Sequence, residues 1–213
     1  MAAHKARNKL KNIIYILFCL IFLPQIYFGQ KKKIEPPKKE KVSAIQIKHA
    51  NSLEYDKRLG VNAKRLIGDV ICEHEGAVLR CDSVYLYDEK NMDAFGHISV
   101  VKGDSIFVYG DKMHYEAATK LATLQDNVKC IEKDMTLTTN IMTYDVKNGI
   151  ANYYDGGTIV NKDNTLTSKN GHYYSGTKEV AFKYDVVLVN KDYTMKSDTL
   201  RYNTVSKIAY FLG

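Results

Sequence analysis

The stretch Val108-Tyr109-Gly110-Asp111-Lys112-Met113-His114-Tyr115 decides the fold. Val108 and Met113 are apolar and five residues apart, whereas side chains on one face of a strand recur at every second residue. An uninterrupted strand would turn Met113 to the face opposite Val108. For both to be buried the chain must bend between them, and Asp111 marks the bend. Asp and Asn suit a corner because their short side chains bond nearby backbone and tolerate unusual dihedrals.

The arrangement returns five times between Gly68 and Gly213. Its anchor is an Asp or Asn followed four residues later by Tyr or Leu: Asp82/Leu86, Asp111/Tyr115, Asn140/Tyr144, Asn170/Tyr174 and Asp198/Tyr202, at spacings of 29, 29, 30 and 28. Six residues beyond each Tyr or Leu come Met92, Leu121, Ile150, Val180 and Ile208, and a degenerate further copy starts at Asn51 and Tyr55. Self-similarity at such a period marks stacked supersecondary units.

Each copy opens with an alternating pair, Val70/Cys72, Ile98/Val100, Val128/Cys130, Thr158/Val160 and Val186/Leu188. A second inward position follows a turn, at Leu79, Val108, Leu137, Thr167 and Met195, and a third follows the corner, at Val84, Met113, Met142, His172 and Leu200. Turn signals such as Glu75-Gly76, Lys147-Asn148-Gly149 and Ser175-Gly176 fall between them. No helix is expected after residue 45. Strands with one apolar face need a second sheet to cover it, so the pattern predicts an all-β fold, a semi-closed β-jelly roll of repeated short antiparallel strands. A β-solenoid is the other economical arrangement.

The whole chain carries +7, but residues 1–41 alone carry +8, which leaves the repeat region near −1. The basic charge belongs to the amino-terminal segment, and a nucleic-acid groove, which needs Lys and Arg repeated on one face, is not expected. Lys5, Arg7, Lys9 and Lys11 precede an apolar run from Ile13 to Phe28, the pattern of an export signal over residues 1–29. Those 16 residues would reach only about 24 Å as a helix, short of a hydrocarbon core of roughly 30 Å. Cleavage is therefore expected, with an inner-membrane anchor as the alternative because Tyr27 stands where a small residue is usual. Residues 30–44 read as a Lys/Pro-rich linker and residues 45–213 as the repeat domain.

A two-residue hairpin loop at Gly76-Ala77 would set Cys72 directly opposite Cys81, so a disulfide between them is a candidate, against two small core residues as the plainer reading. Cys130 occupies the position equivalent to Cys72 and faces Thr139, so it is expected as a buried free thiol. The histidines show no metal-ligand spacing, and neither a nucleophile elbow nor a phosphate loop occurs. No metal, cofactor or catalytic residue is expected. Asp82, Asp111 and Asp198 share one repeat position, but Asn stands there in the other copies and cannot act as an acid. The tyrosine column reads as core or as a sugar platform.

The run Gly110-Asp111-Lys112-Met113-His114-Tyr115, with the recurrent openings Gly68-Asp69-Val70 and Asp126-Asn127-Val128, resembles the OstA-like (LptA) family of periplasmic lipopolysaccharide transport proteins, over most of the chain after the signal. The resemblance implies a periplasmic protein that carries lipopolysaccharide or a related glycolipid with its acyl chains inside the roll. It also implies partner jelly-roll proteins at the inner and outer membranes, and head-to-tail self-assembly would extend the path. The inward residues Val70, Cys72, Leu79, Val84, Ile98, Val100, Val108, Met113, Val128, Cys130, Leu137, Met142, Val186, Leu188, Met195 and Leu200 are the candidate groove. A structural or adhesive β-repeat protein with a filled core is the competing expectation.

Overall fold

The computed structural model describes residues 43–57, 63–88, 90–103, 106–174, 176–203, 205–206 and 208–213. The expected export segment and nearly all of the linker lie outside the described residues. Within them the chain forms strands and turns and no helix. The strands are β1 (Gln46–His49), β2 (Ser52–Tyr55), β3 (Lys64–His74), β4 (Ala77–Tyr87), β5 (Asn91–Lys102), β6 (Ile106–Glu116), β7 (Leu121–Glu132) and β8 (Met135–Asp145). They continue as β9 (Ile150–Tyr153), β10 (Gly157–Val160), β11 (Asn164–Ser168), β12 (Asn170–Tyr174), β13 (Glu179–Asn190), β14 (Thr194–Asn203) and β15 (Ala209–Leu212).

All pairings are antiparallel, and β3 to β8 form a meander in which each strand pairs with the next. Each long strand serves two leaves of a rolled sheet and bends between them. At the bend two residues on one strand oppose one on its partner: Gly68-Asp69 face Asp82, Gly96-His97 face Asp111, Asp126-Asn127 face Asn140, and Tyr184-Asp185 face Asp198. Both members of each pair are left-handed, with φ between 43° and 78°. These are β-bulges, which kink a strand and raise its twist.

Side chains secure the bend on both surfaces. Outside, the lone residue of one strand bonds the left-handed residue of a neighbour: Asn51 Nδ2 donates to Asp69 (3.3 Å), His97 Nδ1 meets Asp82 (2.8 Å), Asn127 Nδ2 donates to Asp111 (2.6 Å) and Lys169 pairs with Asp185 (2.7 Å). Asn51 thus supplies the corner of the degenerate first copy. Inside, the residue just before the corner is small and donates to the carbonyl two residues on. Cys81 reaches Ser83 O (3.4 Å), Thr139 reaches Ile141 O (3.4 Å), Ser168 reaches Asn170 O (2.9 Å) and Ser197 reaches Thr199 O (3.1 Å), while Gly110 holds the equivalent place. Such local bonds compete with a straight ladder and favour the bend.

The fourth copy departs from its sequence register by one residue. Its corner is Lys169, between β11 and β12, so the corners fall at 82, 111, 140, 169 and 198, a uniform spacing of 29. Ile159, Leu166, Gly171 and Tyr173 face inward, in place of the expected Val160, Thr167, His172 and Tyr174. Val160 and Tyr174 are exposed, Thr158 pairs with Thr138 and Thr167 on the outer face, and His172 Nδ1 bonds Asn152 Oδ1 at 2.8 Å. The opening strand of this copy is also interrupted. β9 and β10 both pair with β8, and the break between them lies where other copies carry a bulge.

Tyr153 fills that break. It is 3 % exposed, its hydroxyl bonds Ser168 Oγ at 2.7 Å, and its ring lies between Gly157 and Gly171 so closely that a Cβ on either glycine would come within 2.6 Å of it. Two core clusters result, one around Leu66, Val70, Val84, Ile98 and Val128, the other around Tyr153, Leu166, Phe182 and Val186, with Leu137 packed against both. Gly171→Met, which installs the side chain that Met113 and Met142 place at this position, should destabilise the protein by about 1–3 kcal/mol through overpacking. Denaturant unfolding should show that loss, and a second change, Tyr153→Ala, should make the added Met less costly than it is alone.

Candidate functional site

The sixteen inward residues singled out in the sequence divide by depth. Val70, Val84, Ile98, Val128 and Val186 flank the bends and are at most 1 % exposed. They form the closed apex where the two leaves converge, and none of them lines either of the two cavities between the leaves. Farther from the bends the leaves diverge. Cys72, Leu79, Val100, Val108, Cys130, Leu137, Leu188 and Met195 face one side of the opening, and Met113, Met142 and Leu200 face the other.

Between these walls lie two cavities of about 230 and 370 Å³. The first runs from Ile45 and Cys72 to Ala151, and the second continues to Phe211. Cys130, Glu132, Met142, Ala151 and Tyr173 border both, so the two form adjoining parts of one groove across the strands. The interior is not filled from end to end. Alanine explains part of the space: Ala122, Ala151 and Ala209 stand where a larger residue would close the gap between leaves. Every methionine after Met1 lines the groove, at positions 92, 113, 135, 142 and 195. Unbranched thioether side chains adapt to irregular apolar surfaces.

Tyr115, Tyr144, Tyr173 and Tyr202 recur every 29 residues along the wall formed after the bends. A repeat adds two strands, so successive tyrosines stand roughly 9.5 Å apart. Burial, with the Glu75 charge nearby, pushes the Tyr115 phenol up to about 12, and burial raises Tyr144 and Tyr173 as well. The Tyr115 hydroxyl is buried and has no hydrogen-bond partner among the described residues.

The groove is strapped at one point along its mouth. Lys120, in the turn after β6, donates to Glu75 Oε1 at 2.9 Å, in the turn after β3, and the bond holds the Glu75 carboxyl below its ordinary range. Beneath the strap the His74 ring meets Tyr115 edge-on at 5.3 Å. These contacts tie one leaf to the other over the first cavity, whose mouth also carries Glu73, Lys102, Glu132 and Lys178.

The expected Cys72–Cys81 bridge is corrected by the register. The hairpin turns at Glu75-Gly76, both left-handed at φ 48° and 76°, and pairs His74 with Ala77. Gly is therefore the second turn residue, as a type I′ turn prefers, rather than the first. The slip sets Cys72 opposite Leu79 and Cys81 opposite Val70, and both thiols are free. Cys81 instead secures its corner, and Cys130, which faces Leu137 rather than Thr139, is a half-buried free thiol. Among the described residues no group of three or more His, Cys, Asp or Glu is placed to hold a metal ion.

The sequence reading missed Met92, Met135, Tyr153 and the alanines of the walls. A strict 29-residue register would have found Leu166 and Tyr173, but the outward neighbours of small wall residues carry no signal of their own.

A rolled sheet with an apolar interior groove and a 29-residue corner repeat is the class of protein that these observations define. The chain belongs to the OstA-like protein family, whose model matches residues 41–198. It is also similar to LptH of Pseudomonas aeruginosa, described as the LptA-homologous periplasmic component of the conserved lipopolysaccharide transport device, at 17 % identity and a TM-score of 0.46, over 50 % of this chain and 80 % of that one. No curated protein matches the chain significantly.

Burial pushes the Cys72, Cys81 and Cys130 thiols up to about 11, 12 and 11, and the thiol form is a poor nucleophile. Iodoacetamide at pH 8 should label the folded protein slowly and label all three fully after denaturation without reductant. A requirement for reductant before Cys72 and Cys81 react would contradict the register given above.

Proposed function

We propose that this chain is a periplasmic, non-enzymatic lipid-transport protein that shields acyl chains of lipopolysaccharide or a related glycolipid in the groove between its leaves. The observation that carries the reading is the continuous apolar groove across the repeats, walled by methionine, alanine and tyrosine. Burial of a lipid chain contributes about 0.8 kcal/mol per CH2, so acyl chains bind such a groove without any catalytic group. The family's resemblance supplies the choice of glycolipid over other acylated ligands.

A photo-crosslinking residue at Met142 or Leu188, which line the groove, should capture glycolipid in cells. The same residue at Lys129 or Thr138, paired with each other on the outer face, should not. Equal capture from both faces would remove the groove reading. Val128, at the sealed apex, is expected to give little.

The same reading includes assembly with a second copy or another jelly-roll protein. Among the described residues, the Thr194–Ser197 half of β14 pairs only with β13, while β15 covers the other half. The groove reaches this stretch through Met195, and a strand added beside it by a second copy or another jelly-roll protein would extend both sheet and groove. Of the adjacent Met195 and Lys196, one N–H faces away from β13. Proline at that residue should abolish concentration-dependent association in sedimentation velocity while leaving the circular dichroism unchanged. Association undiminished by proline at either position would place the contact elsewhere.

A further inference from the structure

We propose that Tyr115 is a specificity site within the groove, one that selects acyl chains carrying an oxygen, a hydroxyl or an ester carbonyl, over plain hydrocarbon chains. The inference rests on the groove being a lipid site and adds which lipid it prefers. Tyr115 is 5 % exposed and lines the first cavity, and its hydroxyl has no partner among the described residues. A buried polar group without a partner is uncommon in a folded protein and calls for a reason. Tyr115 borders a cavity of about 230 Å³, where the oxygen of a bound chain would give the hydroxyl its partner.

The surroundings sharpen the preference. The facing and adjacent wall residues, Cys72, Leu79, Met92 and Met113, are apolar or, as a protonated thiol, weakly polar. Glu75, whose charge acts on the Tyr115 phenol, is engaged with Lys120, and the His74 ring meets the phenol edge-on. Beneath a mouth that carries charged side chains, the Tyr115 hydroxyl is an unpartnered hydrogen-bonding group beside these apolar residues. A hydrocarbon chain lying against it gains contact area and leaves the phenol unsatisfied. A chain with an oxygen at that depth gains the same area and a hydrogen bond, which is stronger in a dry site than at a wet surface. Tyr144, Tyr173 and Tyr202 repeat the phenol along the same wall, but among the described residues the Tyr115 hydroxyl is the buried phenol oxygen that lacks a partner.

The test is displacement of a fluorescent fatty acid from the purified full chain by tetradecanoate and by 3-hydroxytetradecanoate. Both acids should compete, and the hydroxy acid should bind more tightly, by about tenfold, equivalent to 1.4 kcal/mol. Tyr115→Phe removes only an unpartnered hydroxyl and should stay folded. It should bind tetradecanoate as before and lose most of the preference, whereas Tyr109→Phe, on the exposed outer face of β6, should retain it. Equal binding of the two acids by the unaltered protein, or an undiminished preference in Tyr115→Phe, would overturn the assignment. Failure of either acid to displace the probe would instead overturn the lipid groove on which it rests.

Discussion

Everything in this structure depends on bending each long strand at its middle. A straight strand of the length of β5 or β7 has one buried face and no means of covering it alone. Two successive left-handed residues create the bend, a conformation that costs an L-residue roughly 1–2 kcal/mol. Glycine escapes that cost at Gly68 and Gly96, but Asp126-Asn127 and Tyr184-Asp185 do not. The offsetting bonds are the ones observed: polar pairs across the outer ridge, hydroxyl or thiol bonds to backbone inside, and at Tyr184 a carbonyl that accepts from Lys169 N–H at 3.0 Å. Once the bends stack in register, the valines beside them meet at the apex and the leaves are fixed at an angle that leaves a groove.

The fold was legible because the bend leaves a signature that composition cannot imitate. Two inward positions five residues apart around a polar residue, repeated at a fixed period, admit few arrangements. The fourth copy misled the reading because an Asn stands one residue past the corner. Aspartate and asparagine are two ways of making the corner, which requires a polar group complementary to the left-handed residue across from it. Lys169 meets that requirement through Asp185. Since side chains alternate, a slip of one residue exchanged every inward and outward assignment in that copy, which placed His172 in the core and Tyr173 outside it. The small residues at 81, 110, 139, 168 and 198 minus one, namely Cys81, Gly110, Thr139, Ser168 and Ser197, held the true register throughout.

The candidate groove was half legible for a different reason. Alternation identifies the inner face, but depth along that face depends on how far each residue lies from the bend and on how far the leaves splay. Val128 and Cys130 belong to the same face and the same strand, yet one is sealed in the apex and the other borders both cavities. Wall residues that make room, such as Ala122 and Ala151, are inconspicuous in a sequence searched for large apolar side chains. Cys81 carries the converse lesson: its chemistry suggested a covalent partner, and its position before a corner gave it a backbone carbonyl instead.

A repeat architecture also constrains what a groove of this kind can do. Each copy contributes two strands and its own set of wall residues, and its contacts are with neighbouring copies, so the groove lengthens by addition without a new core being needed. On the proposed reading, adjacent segments present a bound chain with similar walls: a methionine or leucine after the bend, a tyrosine two residues on, and an aliphatic residue or thiol facing them. Similar walls mean similar binding free energies, and movement between segments of similar affinity requires little climb between successive positions. The fourth copy interrupts that uniformity, because Tyr153 occupies space that side chains fill elsewhere and joins the second core cluster. The chain therefore has two neighbouring cavities with a shared border at Cys130, Glu132, Met142, Ala151 and Tyr173, and on the proposed reading a lipid chain passing between them would have to move the adaptable Met142 and the ring of Tyr173.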